Sequence, residues 1–287
     1  MARNPANPYR CSECGWTTPR WVGRCGECQA WGSVAQGAGQ GARVSSAAPV
    51  VPALPISHVP LDASRAVPTR IGELDRVLGA GITPGSVILL AGEPGVGKST
   101  LLLEVANRWA RAGRRTLYVT GEESAAQVRL RAERTSAVVE GLYLAAEDDL
   151  GTVLGHIEQL DPELLVLDSV QTVQVPGTDA VTGGVAQVKE VTAALVRVAK
   201  QRAMPVVLVG HVTKEGTVAG PRTLEHLVDV VLSFEGDRNS GFRMLRAGKN
   251  RFGPADEVGC FGMVESGIRE VTDPSGLFTS RHTEPQP

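Results

Sequence analysis

From Ser86 onward, short continuous runs of apolar residues alternate with longer segments whose apolar positions recur at helical spacing. Strand-like runs lie near 86–91, 115–120, 164–168 and 205–210, and helical segments near 98–112, 124–134, 149–160 and 186–203. This alternation predicts an α/β fold with a mainly parallel central sheet and helices on both faces. Beyond Leu224 the rhythm shortens. Val228–Phe234, Gly241–Arg246 and Val258–Val264 are closely spaced strand-like runs with turn residues such as Gly236-Asp237 between them, so an antiparallel extension is expected to finish the sheet. Residues 33–55 show no amphipathic period and are rich in Gly, Ala, Ser and Pro, which predicts a flexible linker. The organisation read from these shifts is a small module at 1–32, the linker at 33–55, the α/β domain at 56–275 and a disordered tail at 276–287. No internal repeat of 20 to 50 residues is visible.

Composition adds limits. With 287 residues and 42% apolar content, the chain can bury one sizeable core plus a small appendage. The formal net charge of −2 gives no bulk attraction to nucleic acid, so any DNA contact must come from local clusters or from assembly. No apolar run is long enough to span a membrane, and the first residues lack an apolar signal core, so no membrane partner and a cytoplasmic location are expected.

Two motifs carry chemistry. Cys11, Cys14, Cys25 and Cys28 form two CxxC pairs, with Gly15 and Gly26 beside them. Each pair makes a tight knuckle that aims two thiolates at one ion, and two knuckles complete a closed, tetrahedral Zn²⁺ site. Redox or disulfide roles fit a cytosolic protein less well, and Cys260, alone in an apolar run, reads as a small core residue. A module this small folds only with its metal. The second motif is Gly92-Glu93-Pro94-Gly95-Val96-Gly97-Lys98-Ser99-Thr100, which fits GxxxxGK[ST] directly after a strand-like run and directly before a helix. That context predicts a P-loop binding ATP. Backbone N–H groups and a helix N-terminus cradle the phosphates, Lys98 reaches the β and γ phosphates, and Ser99 ligates Mg²⁺.

Three more strand ends supply polar groups. Asp168 closes Leu164-Leu165-Val166-Leu167 and is the expected partner of Mg²⁺, directly or through water, although it could also cap the following turn. Glu122 and Glu123 follow another strand; one of them, Glu122 first and Glu123 second, is expected to activate the attacking water, the alternative being that the acidic pair starts the next helix. His211 ends a third strand. Lys249 and Arg251 sit on a short polar segment, where they could complete a nucleotide pocket in trans, hold a nucleic-acid backbone, or form a solvated turn.

Together these residues resemble the bacterial RadA/Sms DNA-repair proteins, a branch of the RecA-like ATPases. The likeness runs over residues 8–275, from the cysteine knuckles with Trp16, Trp21 and Trp31 through Gly92–Thr100, Gly121-Glu122-Glu123-Ser124 and Asp168-Ser169-Val170-Gln171-Thr172. It continues in Gly210–Gly216, Ala219–His226, Phe234–Arg238 and the pentapeptide Lys249-Asn250-Arg251-Phe252-Gly253. The resemblance implies a RecA-like P-loop NTPase behind a four-cysteine zinc ribbon. It further implies a DNA-dependent ATPase, assembled as a homo-oligomeric, hexameric ring, that drives branch migration on single-stranded and branched DNA with the RecA recombinase. It also implies that His211 senses the γ-phosphate, that Lys249 and Arg251 reach a neighbour's nucleotide or the DNA, and that loops around 178–187 and 213–222 face a central channel. Lys214, Arg222 and Lys189 would then follow the phosphate backbone. The family usually carries a further C-terminal domain resembling the Lon protease, which this sequence does not include, and ring stability is expected to suffer without it. Gly248, Cys260 and Gly262 depart from the family pattern at packing positions. A second reading of the same residues is a nucleotide-controlled switch whose zinc ribbon recruits a protein partner without moving along DNA.

Overall fold

The computed structural model describes residues 9–36, 52–61, 64–177, 181–211, 221–236 and 241–272, apart from the side chains of 221 and 222. The chain divides into two compact units, Met1–Val59 and Pro60–Pro287.

In the first unit, β1 (Tyr9–Cys11) lies between β2 (Thr17–Thr18) and β3 (Val34–Gln36), antiparallel to both. Cys11, Cys25 and Val34 are buried and pack with Tyr9, Trp16 and Val22. So few apolar groups cannot hold a fold by burial alone. Composition places residues 34–36 in a linker, but they form β3: Val34 pairs with Cys11 and is buried, so the ribbon extends past residue 32. Pairing with β1 outweighs the small-residue composition around it.

The second unit is built on a nine-stranded sheet. Its strands are β4 (Val87–Gly92), β5 (Thr116–Thr120), β6 (Leu142–Ala146), β7 (Leu164–Asp168), β8 (Val206–His211), β9 (Val230–Glu235), β10 (Phe242–Asn250), β11 (Val258–Val264) and β12 (Gly267–Glu270). The order is β12-β11-β10-β9-β4-β8-β7-β5-β6; the six strands from β9 to β6 are parallel and β10 to β12 are antiparallel. The helices are α1 (Gly72–Leu78), α2 (Lys98–Arg111), α3 (Ala125–Arg134), α4 (Leu150–Leu160), α5 (Val185–Arg202) and the short α6 (Pro221–Leu224).

Alternation along the central strands feeds two cores. Ile88, Leu90, Val166 and Val207 face α1, α2 and α3, whereas Val87, Leu89, Leu165 and Leu208 face α4 and α5. Burial on both faces is why these strands read as unbroken apolar runs. The helix starts follow local chemistry: Ser124 and Gln127 form a reciprocal capping box for α3, and Asp149 caps α4 through the Thr152 N–H at 2.7 Å. The parallel sheet with an antiparallel extension matches the sequence reading. That reading did not anticipate α1, β6 or β12. β6 is an edge strand with mostly part-exposed or exposed side chains, so it lacks the apolar signature of its neighbours.

Candidate functional site

Strand register sets the site. Gly92 of β4 pairs with His211 of β8, and Thr120 of β5 pairs with Asp168 of β7, so one sheet edge gathers the residues that follow these strand ends. β4 is buried throughout and delivers the glycine loop there. Two glycines in the loop are required by space or angle: a Cβ on Gly92 would lie 2.4 Å from the Phe234 carbonyl oxygen, and Gly97 turns into α2 with φ of 110°. Glu93, Pro94 and Gly95 are exposed at the tip, Val96 is buried beneath it, and Ser99 and Thr100 open α2 half-buried. Arg243, buried on β10, donates Nε to the Val96 carbonyl at 2.8 Å and props the loop from the antiparallel side.

Lys98 is only 4% exposed. Its ammonium donates to the carbonyls of Gly92 at 2.9 Å and Glu93 at 3.0 Å and to His211 Nδ1 at 3.2 Å. Burial pulls its pKa below the ordinary lysine range, against the opposing pull of Asp168 and Glu122. An ammonium can only donate, so Nδ1 of His211 accepts and Nε2 carries the proton. That Nε2 donates to Glu122 Oε1 at 2.9 Å, and Ser169 Oγ donates to the same oxygen at 2.5 Å. The His211 hydrogen bond, then the Ser169 bond and the Lys98 charge, hold the Glu122 carboxyl at about 2.

Asp168 is buried, and its Oδ2 accepts from the Tyr118 hydroxyl at 2.8 Å. Burial first, and then the Asp168 charge, push the Tyr118 phenol well above its usual value, so it stays a donor. Asp168 Oδ1 is buried and has no hydrogen-bond partner among the described residues. A carboxylate oxygen left this way costs free energy unless a cation or a bound water meets it, which fits a hard ion such as Mg²⁺. One oxygen each of Glu122 and Asp168 and one nitrogen of His211 lie within 4.8 Å of one another. Glu123 is not part of this group. Both its oxygens accept from Arg131 Nη2 of α3, at 2.6 Å each.

Lys249 and Arg251 lie at the other edge of the sheet. Asn250 pairs with Val230 at the start of β9, which stands in register with Ile88 of the parallel β4, so about 13 Å of strand separates this position from Gly92 of the same chain. Lys249 Nζ donates to the carbonyls of Glu225 at 2.5 Å and Val228 at 2.7 Å. Arg251 Nη1 pairs with Asp229 Oδ1 at 3.1 Å, while Asp229 Oδ2 takes Lys200 Nζ at 2.7 Å and the Val87 N–H at 3.0 Å. Lys189 is exposed on α5. Lys214 falls outside the described residues, as do 178–180 and 212–220, and of Arg222 only the backbone in α6 is described.

In the ribbon, Cys11 and Cys28 bring their Sγ atoms to 3.6 Å, as do Cys14 and Cys25, and all four lie within 4.8 Å. Disulfides need about 2.05 Å, whereas a tetrahedron of thiolates at about 2.3 Å from zinc has edges of about 3.8 Å, so the set fits Zn²⁺.

Residues 53–217, with the glycine loop and all four strand ends, match the AAA domain family. The chain belongs to that family. Residues 9–36 match the rubredoxin metal binding domain, which takes in β3 as well as the four cysteines. The AAA-type chain is 58% identical over 288 residues to the DNA repair protein RadA of Mycobacterium tuberculosis, covering 98% of this chain and 60% of that protein. It is 45% identical over 282 residues to RadA of Streptococcus pyogenes, covering 97% and 62%, and 43% identical over 276 residues to RadA of Halalkalibacterium halodurans, covering 94% and 60%. The chain thus spans about three fifths of the length of these relatives, and the likeness read from its motifs extends over nearly all of it. Among the described residues, no helix is long and apolar enough to cross a membrane.

Sequence reasoning missed Tyr118, Ser169, Asp229 and Arg243 as parts of these networks. Their partners lie 22 to 147 residues away along the chain, and no spacing motif records a contact made by sheet register.

Proposed function

We propose that this chain hydrolyses ATP to drive a DNA-repair reaction. The convergence of Lys98, Asp168, Glu122 and His211 beside the glycine loop carries this reading. The relatives' name, DNA repair protein, supports the biological setting. Gly92 to Thr100 would wrap the triphosphate, with Lys98 exchanging the carbonyls of Gly92 and Glu93 for phosphate oxygens. Ser99 and Asp168 would hold Mg²⁺, which neutralises charge on the phosphates when bound. Glu122 is the base that receives the proton of the attacking water, and His211 senses the γ-phosphate. Glu123, tied to Arg131, orients α3 instead. Cys11, Cys14, Cys25 and Cys28 would hold Zn²⁺, which supplies the folding energy of the ribbon.

Because Lys249 and Arg251 stand a strand length from their own glycine loop, they act on a neighbour's nucleotide or on DNA. Head-to-tail contacts between identical subunits provide that neighbour and close into a ring. The substrate is single-stranded and branched DNA, the reaction is branch migration, and the RecA recombinase is the partner. A second reading, a nucleotide-controlled switch that recruits a protein through its ribbon, draws on Trp21 and Trp31, which are 64% and 77% exposed. Steady-state ATP hydrolysis with and without single-stranded DNA at two salt concentrations separates the two. Stimulation that fades as salt rises is expected for the motor, and hydrolysis indifferent to DNA would favour the switch.

A further inference from the structure

Two hydrogen bonds converge on one oxygen of Glu122. Ser169 Oγ at 2.5 Å and His211 Nε2 at 2.9 Å both end on Oε1, and among the described residues no hydrogen bond reaches Oε2. The two donors differ in how firmly they are held. His211 also bonds Lys98, whose partners must change when phosphates enter, so its ring is released on one side at that moment. Ser169 is fully buried directly after β7, and its carbonyl accepts the Thr172 N–H at 3.3 Å and the Thr172 hydroxyl at 2.8 Å, closing a tight turn. Its hydroxyl therefore has a fixed origin whatever occupies the glycine loop.

We propose that Ser169 is a positioning residue for ATP hydrolysis: its hydroxyl clamps Oε1 of Glu122 and thereby presents Oε2 to the attacking water. This rests on Glu122 being the base. In the step so arranged, Oε2 takes one proton from water and the water oxygen bonds to the γ-phosphorus. The bond from that phosphorus to the bridging oxygen breaks with its electron pair leaving on ADP. The proton passes from Glu122 to solvent afterwards. The His211 hydrogen bond first, and the Ser169 clamp after it, lower the basicity of the carboxylate, and the clamp in return fixes the direction from which it acts.

The test is steady-state ATP hydrolysis by the full chain with single-stranded DNA, beside ADP affinity and thermal melting, for Ser169→Ala, Ser169→Cys and Glu122→Gln. Expected for Ser169→Ala is a kcat loss of about tenfold or more with KM, ADP affinity and Tm unchanged, since misaiming a catalytic group costs rate without ground-state binding. Ser169→Cys, a weaker donor of similar size, should fall between Ala and wild type, and Ser169→Ala should cost nothing further in a Glu122→Gln background. Wild-type kcat in Ser169→Ala, with Glu122→Gln strongly impaired, would overturn the clamp and leave the base in place. A parallel drop in Tm and ADP affinity would make Ser169 a packing residue and overturn it as well. Full turnover in Glu122→Gln would remove the base assignment and the clamp together.

Discussion

Lys98→Ala removes the ammonium that fills the glycine loop and bridges to His211, so ATP turnover should fall at least a hundredfold while the fold survives; steady-state hydrolysis beside thermal melting checks both. At Glu122 the prediction concerns pH. Its folded-state carboxyl is held at about 2 against a usual value of 4.5, so the stability it contributes is present above 4.5 and is lost as pH falls through about 2. The difference in Tm between wild type and Glu122→Gln should therefore shrink on acidification across that window. In kcat/KM, which reports the free enzyme, no acid limb from Glu122 is expected between about pH 5 and pH 8. Individual side chains were legible in the sequence where a motif fixes them. Lys98, Asp168 and the four cysteines were named from spacing; the fold gathers the four Sγ atoms within 4.8 Å of one another and sets the Lys98 ammonium on the Gly92 carbonyl. Sequence ranked Glu122 before Glu123 but could not show that their surroundings differ: they are adjacent in the chain, yet one meets Ser169 and His211 and the other meets Arg131.

Among the elements, β10 reaches further into the site than its antiparallel position suggests. Arg243→Met keeps the apolar stem but leaves the buried Val96 carbonyl unpaired, a loss of about 1–3 kcal/mol. The loop should bind phosphate less well, and nucleotide titration is expected to give a Kd raised at least fivefold with kcat changed less. β10 was read from sequence as a strand ending at Arg246, yet it continues to Asn250, across an irregularity between Ala247 and Lys249. The pentapeptide is thus partly strand, and Asn250 closes the end of α1 by donating to the Leu78 carbonyl at 3.2 Å. Long buried parallel strands announce themselves because both faces are apolar, whereas β6 and the short α1 draw their stability from partners distant in sequence, which local pattern cannot register, and β12 is only a four-residue hairpin arm on β11, too short to show a period.

At the scale of the whole molecule, the ribbon and the AAA-type unit should respond separately to metal. Cys11→Ser or a strong chelator is expected to abolish the structure of residues 9–36 while leaving the melting of the larger unit unchanged, as residue-resolved hydrogen exchange would show. If Arg251 acts on a neighbour, mixing Lys98→Ala chains with Arg251→Ala chains should restore part of the hydrolysis that each lacks alone, because some mixed contacts join an intact loop to an intact Arg251. Asp229→Ala should cost about 2–3 kcal/mol in chemical unfolding, modest for a buried carboxylate because Lys200 and Arg251 are half exposed. Asp229 also has a mechanical meaning. It grips the first residue of β4 through the Val87 N–H, and the last residue of β4 opens the glycine loop. β4 is thus the strut between the two ends of the sheet: one extended strand, paired on both sides, with the basic turn's anchor at its first residue and the glycine loop at its last.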